Sequence, residues 1–480
     1  MRKIQIARWA GMLAVAFLLL PLSACDEILK VNNPDEINVN TLTDARLFEA
    51  QVAGVVSEFL DEYTRNDGAI LWSANFLTDE QVTGLNWEDY ARVNQRIVNY
   101  TEGPVASLWG GISRWLRLGE HVIELSDSLV ADPGSSEYVA LAEVYIGYGY
   151  LYAGESMCMT VFSDDVDNPS GDVLTPNETF ALAIPHFLRA IQVGTAAGTP
   201  DLANLARVGL ARTYLNLGDN ANTITYAQQV PSGFTYWAEF SDRQDAENNG
   251  LYGEVHGSNF TMGVSPFFLQ GTFGTQDLID TQTDPRIQHA SRWRTGHNAL
   301  TKLYKPYQGL RFSEYSGETL APPSVDCPAC TGATEGNGDN GDVLLYQKYT
   351  KIVMADELEA RHHMYEAMAR QGTNDAVVLA FVNERRAVGN QAPVALSGAA
   401  LFAELRNQRG RDMYQGGLRL GDLRRWSRLD GVDLFPSGNH VNTEWGAYGA
   451  WTCFPLPLEE YEGNDNLQKP ADPLTPPPGI

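Results

Sequence analysis

The stretch DLANLARVGLARTYLNLGDNANTITYAQQV, residues 201–230, decides the fold class of this chain. Its apolar side chains recur every three or four residues, which places them on one face of an α-helix: Ala203, Ala206, Leu210, Tyr214 and Leu217. Gly218 and Asp219 then predict a turn, and a second helix is expected to run to Gln229. Two helices joined by so short a turn are expected to pack side by side.

This helix pair resembles one tetratricopeptide unit. A second pair is predicted over residues 351–372 and 374–389, and the interval between the pairs is irregular. We therefore predict a mainly α fold, a superhelix of tetratricopeptide-like helix pairs that is interrupted and not a regular array.

A further helix is predicted to begin at Ser136. It carries one continuous stripe of large side chains, Tyr138, Leu141, Tyr145, Tyr148 and Tyr152. Tyrosines can stack on sugars, but spacing this regular favours packing of one helix against another.

The N-terminus reads MRKIQIARWAGMLAVAFLLLPLSAC, a basic head and an apolar run followed by Leu22-Ser23-Ala24-Cys25. The apolar run is shorter than the ~20 residues that a membrane-spanning helix needs, so it is typical of a signal peptide. The last four residues are similar to the site at which bacterial lipoproteins are lipidated and cleaved. We expect the mature chain to begin at Cys25 and to be held to a membrane by acyl chains.

Composition changes along the chain divide it into five parts. Residues 64–104 look loop-like, and Gly, Asn, Asp, Thr and aromatic residues dominate 231–345, where little helical periodicity is visible. The predicted parts are a signal peptide (1–24), a lipidated tether (25–40), an N-terminal helical region (41–230), a loop-rich ligand-binding region (231–345) and a C-terminal helical region with a Pro-rich tail (346–480).

The charge balance excludes one class of partner. With 34 Lys and Arg against 60 Asp and Glu, the net charge is −26, which repels the phosphates of nucleic acids. The loop at 163–172 holds four aspartates, oxygen ligands of the kind that Ca²⁺ takes, but it does not follow the EF-hand pattern. The histidines are scattered, so we predict no metal site and no cofactor.

Four cysteines follow the predicted lipidation site. Cys327 and Cys330 are flanked by loop-like sequence, which favours a local disulfide over a metal or redox site. Cys158 and Cys453 either pair with each other or are both buried thiols.

The segment GLRLGDLRRWSRL, residues 417–429, resembles a motif of the SusD/RagB family of outer-membrane nutrient-binding lipoproteins. Four further segments are similar to motifs of this family: LWGGISRWLRLGEHVIEL (108–125), Asp284-Pro285-Arg286, FVNERRAVG (381–389) and CFPLPLEEYEGNDNL (453–467). The resemblance covers nearly the whole mature chain. It implies a SusD-like helical scaffold with minor β-hairpins that lies over a SusC-like TonB-dependent transporter, captures glycans or peptides at the cell surface, and is not an enzyme.

Aromatic side chains in loop-like sequence are the candidates for ligand contact, since flat rings stack on sugar faces and no packing stripe accounts for them. Neighbouring Asn and Asp residues can bind sugar hydroxyl groups. The candidates are Trp72, Trp87, Tyr90, Trp237, Trp293, Tyr304, Tyr307 and Trp445.

In the 417–429 segment, an acidic residue precedes two arginines and a tryptophan: Asp422, Arg424, Arg425 and Trp426. Arginine pairs with carboxylates through its fork of N–H donors, so we expect a structural role for these four residues and no ligand contact. Two alternative functions stay open. One is a tetratricopeptide-like scaffold lipoprotein in envelope assembly, which would bind proteins; the other is a glycosidase, which would turn over a glycan.

Overall fold

The structure is a computed structural model, and two compact units appear in it, Met1–Leu47 and Phe48–Ile480. Of the first unit, only the 3₁₀ turn Ala45–Leu47 is described. No helix in the described ranges combines the length and the apolar character that a membrane span requires. The residues described are 45–65, 68–84, 87–163, 170–255, 262–266, 268, 284–287, 289, 294–295, 302–303, 306, 346–442 and 445–470.

Helices dominate the described part of the chain. In chain order they are α1 (Phe48–Leu60), α2 (Ile70–Phe76), α3 (Glu88–Asn94), α4 (Gly103–Leu129), α5 (Glu137–Ser156), α6 (Pro176–Ala197), α7 (Pro200–Leu217), α8 (Asn220–Ala227), α9 (Leu251–Val255), α10 (Glu357–Arg370), α11 (Asp375–Val388), α12 (Gly398–Asp412), α13 (Arg419–Asp430) and α14 (Leu458–Gly463). Shorter turns of helix cover Asp61–Arg65, Pro133–Ser135 and Asp245–Glu247.

The described strands are short and form antiparallel pairs. They are β1 (Gln81–Thr83) with β5 (Met262–Val264), β2 (Thr160–Phe162) with β3 (Asp172–Leu174), β4 (Thr235–Ala238) with β8 (Ile352–Asp356), and β6 (Arg294–Thr295) with β7 (Lys302–Leu303).

The helices stack in sequence order. Each of α4 to α7 packs against the next helix, α10 packs on α7 and α8, and α11 pairs with α12. This confirms the predicted mainly α superhelix of helix pairs with minor β-hairpins.

The turns of this stack are fixed by local chemistry. Thr175 and Glu178 form a reciprocal capping box at the start of α6, where Pro176 occupies the first turn. Gly218 ends α7 in the left-handed region at φ +80°, which glycine adopts without steric cost. The Asp219 carboxylate then accepts a hydrogen bond from the Asn222 N–H and so caps α8.

Helix α5 lies at the centre of the stack, and its tyrosines pack instead of facing solvent. The Tyr145 ring lies 5.0 Å from that of Phe59 on α1, and the Tyr148 ring lies 5.2 Å from that of Phe187 on α6. Both tyrosines are buried, so the packing interpretation of the stripe is confirmed.

Two local predictions were wrong. The stretch 64–104 contains α2, β1 and α3, because α2 is buried along its whole length and so shows no amphipathic period. The second predicted helix pair begins with a strand, since Ile352–Asp356 forms β8 before Asp356 caps α10.

A charged cluster ties three consecutive helices together. The His186 Nδ1 on α6 lies 2.7 Å from Glu143 Oε2 on α5, and its Nε2 lies 3.2 Å from Glu120 Oε1 on α4. The Tyr150 ring stacks on the imidazole, and its hydroxyl donates to Glu120. Burial lowers the pKa of His186, but hydrogen bonds to the two carboxylates outweigh it and raise the pKa to about 9.

We expect this cluster to make stability depend on pH. Because the folded pKa lies above the ordinary value of 6.5, folding takes up a proton between these two values, and stability falls as pH rises through about 9. The contribution is fully present below pH 6.5 and amounts to about 3 kcal/mol. Urea unfolding at several pH values should show this loss in the wild type but not in His186→Gln. His121→Gln, which alters an exposed imidazole on α4, is the control; parallel pH curves for wild type and His186→Gln would contradict the prediction.

The structure pairs Cys158 with Cys453, which the sequence left open. Both cysteines are buried. Main-chain hydrogen bonds on either side of the disulfide join the same two segments of the chain. The Cys158 N–H donates to the Phe454 carbonyl, and the Phe454 N–H donates to the Ser156 carbonyl. The end of α5 is therefore held to the C-terminal segment by covalent and hydrogen bonds.

Candidate ligand-binding site

Trp87 is the most exposed tryptophan among the described residues, with 54% of its surface open to solvent. It lies immediately before α3 and continues inward as a ladder of rings. The ring centroids of Trp87 and Tyr90 are 5.4 Å apart, those of Tyr90 and Trp72 are 4.6 Å apart, and those of Trp72 and Phe76 are 4.5 Å apart. The last two contacts are edge-to-face, the favourable geometry for aromatic pairs.

The rings of this ladder have different roles. Tyr90 and Trp72 are 7% and 4% exposed, so they offer a ligand little surface and instead hold Trp87 in place. The N-terminus of α3 carries Glu88 and Asp89, whose charges suit the positive end of a helix dipole. The result is a flat apolar face fixed beside carboxylates.

A second aromatic group lies at the other end of α3. The His440 ring is 4.8 Å from the Trp445 ring and 4.7 Å from the Tyr448 ring. The His440 Nδ1 accepts from the Asn442 N–H, which leaves Nε2 to donate to Asn94 Oδ1 at 3.2 Å. Burial lowers the pKa of His440 to about 4, so this ring is neutral at neutral pH.

The segment 435–451 that carries this second group is fixed to the turn after α3. The Gly449 N–H donates to the Gln95 carbonyl, and the Trp451 N–H donates to the Arg96 carbonyl. Arg96 adopts a left-handed conformation at φ +58°, which is uncommon for a residue with a side chain. From there its guanidinium donates to the carbonyls of Trp451 and Pro436 and covers the Phe435 ring.

The structure thus places four of the predicted ligand candidates around one short helix. Trp72, Trp87 and Tyr90 lie at its start, and Trp445 lies near its end. Seven residues of α-helix span about 10 Å. The two groups of rings therefore flank a helix of about that length.

The other candidates lie elsewhere. Trp237 is on β4, partly buried and packed against the core. Several predicted residues lie outside the described residues. They are the ligand candidates Trp293, Tyr304 and Tyr307, the cysteines Cys25, Cys327 and Cys330, and most of the acidic loop at 163–172. No group of three His, Cys, Asp or Glu side chains within the described ranges is arranged to hold a metal ion.

His440 and Arg96 were not singled out from the sequence. His440 is a single histidine in a Gly- and Asn-containing stretch, and its partner Asn94 lies 346 positions away. The one indication in the sequence is the density of aromatic residues in NTEWGAYGAW, residues 442–451.

The DLRRW segment lies in a buried ion-pair network. The Arg425 guanidinium forks onto the Glu366 carboxylate and also donates to Asp422, and the Trp426 indole donates to Glu366. Arg424 faces a different way, with Nη1 at 2.7–3.1 Å from the carbonyl oxygens of Gly154, Glu155 and Met157. A cation at this position suits the negative end of the α5 dipole.

Several solved structures share this architecture. A SusD superfamily protein from Bacteroides thetaiotaomicron aligns with a TM-score of 0.61 at 13% identity, over 88% of this chain and 99% of its own. A SusD homolog from the same species aligns with a TM-score of 0.60 at 12% identity, over 90% and 98%. A SusD-like carbohydrate binding protein from Bacteroides vulgatus aligns with a TM-score of 0.56 at 14% identity, over 88% and 97%.

No protein-family model and no curated protein matches the chain. The similarity lies in the arrangement of helices, and it extends over nearly the full length of each solved structure. The chain has the fold of the SusD superfamily.

Proposed function

We propose that this protein is a surface-exposed outer-membrane lipoprotein that binds glycans or peptides and delivers them to a SusC-like TonB-dependent transporter. The observation that carries the proposal is Trp87, an exposed indole held in place by buried rings on a SusD-like fold. One protein of this fold is described as carbohydrate binding, which supports a glycan as the first ligand to test.

The binding mechanism we propose involves no covalent chemistry. The Trp87 face would stack on one sugar ring, and Trp445 would meet a second ring further along the glycan. Stacking of this kind is worth about 1 kcal/mol per ring, so the affinity should be modest, in the micromolar to millimolar range. Modest affinity suits a protein that passes its ligand on, because dissociation is then fast.

Trp87→Ala is expected to weaken glycan binding about fivefold to tenfold, because the stacking surface is lost. Stability should change by less than about 1 kcal/mol, since the side chain is largely exposed. Binding can be measured calorimetrically with short neutral oligosaccharides from starch, cellulose, mannan and xylan.

Tyr349→Ala is the matched control, because Tyr349 is an aromatic residue with similar exposure, 52%, outside the site. Trp445→Ala should weaken the longer oligosaccharides more than the shorter ones. If a bound oligosaccharide has the same affinity for wild type and for both tryptophan variants, the proposed site is wrong.

The anchor and the transporter are part of the same proposal, resting on the Cys25 lipobox and on the family resemblance. The native protein can be isolated from gently solubilised outer membranes and its companions identified by mass spectrometry. We expect a large TonB-dependent barrel in near-equal amount, and a mature chain that begins at an acylated Cys25. Recovery of envelope proteins without a barrel would favour the scaffold alternative, and turnover of a bound glycan would favour an enzyme.

A further inference from the structure

A cavity of about 670 Å³ lies where the end of α5, strand β3, the first turn of α6 and one face of α13 meet. Its volume is in the range of sites for small organic molecules. Apart from Phe435, whose ring Arg96 covers, its lining residues are separate from the aromatic groups around α3.

One side of this cavity is apolar. Met159, Leu174, Pro176, Phe180 and Phe435 line it. Such a wall favours a ligand with a hydrocarbon body, because burying that body removes apolar surface from water.

Other residues of the lining are positively charged. Helix α13 contributes Arg424, Arg425 and Arg428 to the lining. Arg425 is neutralised by Glu366 and Asp422. The other two arginines lie one helical turn apart and donate to main-chain carbonyls, Arg424 at the end of α5 and Arg428 to Asn216.

In the part of the chain that the structure describes, neither Arg424 nor Arg428 has a carboxylate within ion-pair distance. The acidic residue in the lining, Glu155, already accepts hydrogen bonds from Arg212 and Asn216. Burial, and after it the charge of Arg428, lower the pKa of Arg424 to about 10, so the guanidinium remains charged at neutral pH. Two like charges at this spacing repel each other, and an anion between them would relieve the repulsion.

The unbalanced charge is notable against the rest of the chain. The protein carries a net charge of −26, yet this cavity concentrates two guanidinium groups that have no acidic partner among the described residues. Guanidinium groups match carboxylates in shape, because two parallel N–H donors face the two oxygens.

We propose that this cavity binds a small carboxylate with an apolar body. The carboxylate pairs with Arg424 and Arg428, and the apolar body lies against Met159, Leu174 and Phe180. Two natural sources share this chemistry, a free fatty acid and the C-terminal residue of an apolar peptide.

The methyl group of Met159 reports on the cavity from inside. In the full mature chain with ¹³C-methyl methionine, octanoate is expected to shift the Met159 resonance saturably, with Met159→Leu used for the assignment. Octanamide, which has the same body without the charge, should leave the resonance unchanged. Rising salt should weaken octanoate binding to the wild type, because the attraction is electrostatic.

Arg428→Gln is expected to weaken octanoate binding about tenfold or more, since a charge-assisted hydrogen bond is lost. Its side chain is exposed, so the variant should fold normally. Arg114→Gln, which removes an exposed arginine from α4, is the control and should bind like the wild type.

N-acetyl-leucine, titrated in the same way, distinguishes the two sources. Tighter binding of octanoate assigns a fatty acid, and tighter binding of N-acetyl-leucine assigns a peptide terminus; either supports a carboxylate site. The proposal is overturned if neither probe gives a saturable shift, if octanamide binds as well as octanoate, or if Arg428→Gln binds octanoate like the wild type.

Discussion

Replacing Glu366 by Gln is expected to lower the free energy of unfolding by about 3–5 kcal/mol, because it leaves a buried arginine without its main counter-charge. Glu366 is 1% exposed, and its carboxylate accepts both donors of the Arg425 fork at 2.8 and 2.9 Å. Arg370 and the Trp426 indole donate to the same carboxylate. Burial alone would raise the pKa of Glu366, but Arg425 and Arg370 hold it well below its usual range.

The size of the effect comes from the depth of the pair. Exposed ion pairs contribute little, since water solvates both partners almost as well. In the interior, the charge that remains after substitution is not hydrated, and Asp422, which also pairs with Arg409, compensates only part of it. This network joins α10 to α13, so its loss should loosen the contact between the two helices.

Urea unfolding of purified Glu366→Gln measures the effect directly. Glu384→Gln is the matched control, because Glu384 also pairs with an arginine, Arg361, but is 45% exposed; it should cost less than about 1 kcal/mol. The double variant Glu366→Gln/Arg425→Met should be more stable than the sum of the two single losses predicts. Equal, small losses for Glu366→Gln and Glu384→Gln would show that the buried network contributes no special stability.

Removing the Cys158–Cys453 disulfide is expected to cost about 5 kcal/mol at most. The bond joins residues 295 positions apart, and in the chain-entropy description such a cross-link strongly restricts the unfolded chain. The variant Cys158→Ala/Cys453→Ala should therefore unfold at a much lower urea concentration than the oxidised wild type. Reduction of the wild type should have a similar effect.

Cys327→Ala/Cys330→Ala provides the control for this experiment. If these two cysteines pair as predicted, they close a loop of a few residues, and their removal should cost no more than about 2 kcal/mol. Peptide mapping without reduction identifies the pairs independently. Free thiols at Cys158 and Cys453 in the oxidised protein would contradict the pairing, and unchanged stability without them would contradict its energetic role.

The fold could be predicted largely from the sequence because most of its helices are half-buried. Where one face of a helix meets the core and the other meets water, the apolar residues repeat with the helical period, as in α6, whose buried residues include Phe180, Ala183 and Phe187. The capping residues of α5 to α8 also interact with backbone groups only a few positions away in the sequence. For these helices, local sequence contained most of the information needed.

The candidate site could be predicted only in part. Trp72, Trp87, Tyr90 and Trp445 were recognisable as aromatic residues outside packing stripes, but not as neighbours. Trp445 comes near the other three because the segment 435–451 lies against the turn after α3, a contact between positions more than 300 apart. No short-range pattern encodes such a contact, and helix α2, buried on every side, shows none either.

The cavity beside α13 also depends on contacts between residues that are far apart in the sequence. Arg424 and Arg428 were visible in the sequence only as part of a charged helix with expected acidic partners. Which of these arginines finds a carboxylate depends on where α10, α5 and α7 place Glu366, Glu155 and Asn216. Only the assembled helices show that Arg425 is paired, whereas Arg424 and Arg428 have no carboxylate partner among the described residues.

The position of the disulfide along the chain also orders the events of biosynthesis. Cys453 is made after helices α1 to α13, so its bond to Cys158 cannot form until those helices have been synthesised. Cys327 and Cys330 emerge earlier, and each can capture Cys158 for as long as that thiol remains accessible. Early burial of α5 would protect Cys158 from these competitors, and exchange would have to correct any mispairing. Oxidation of the native pair therefore follows the synthesis of helices α1 to α13.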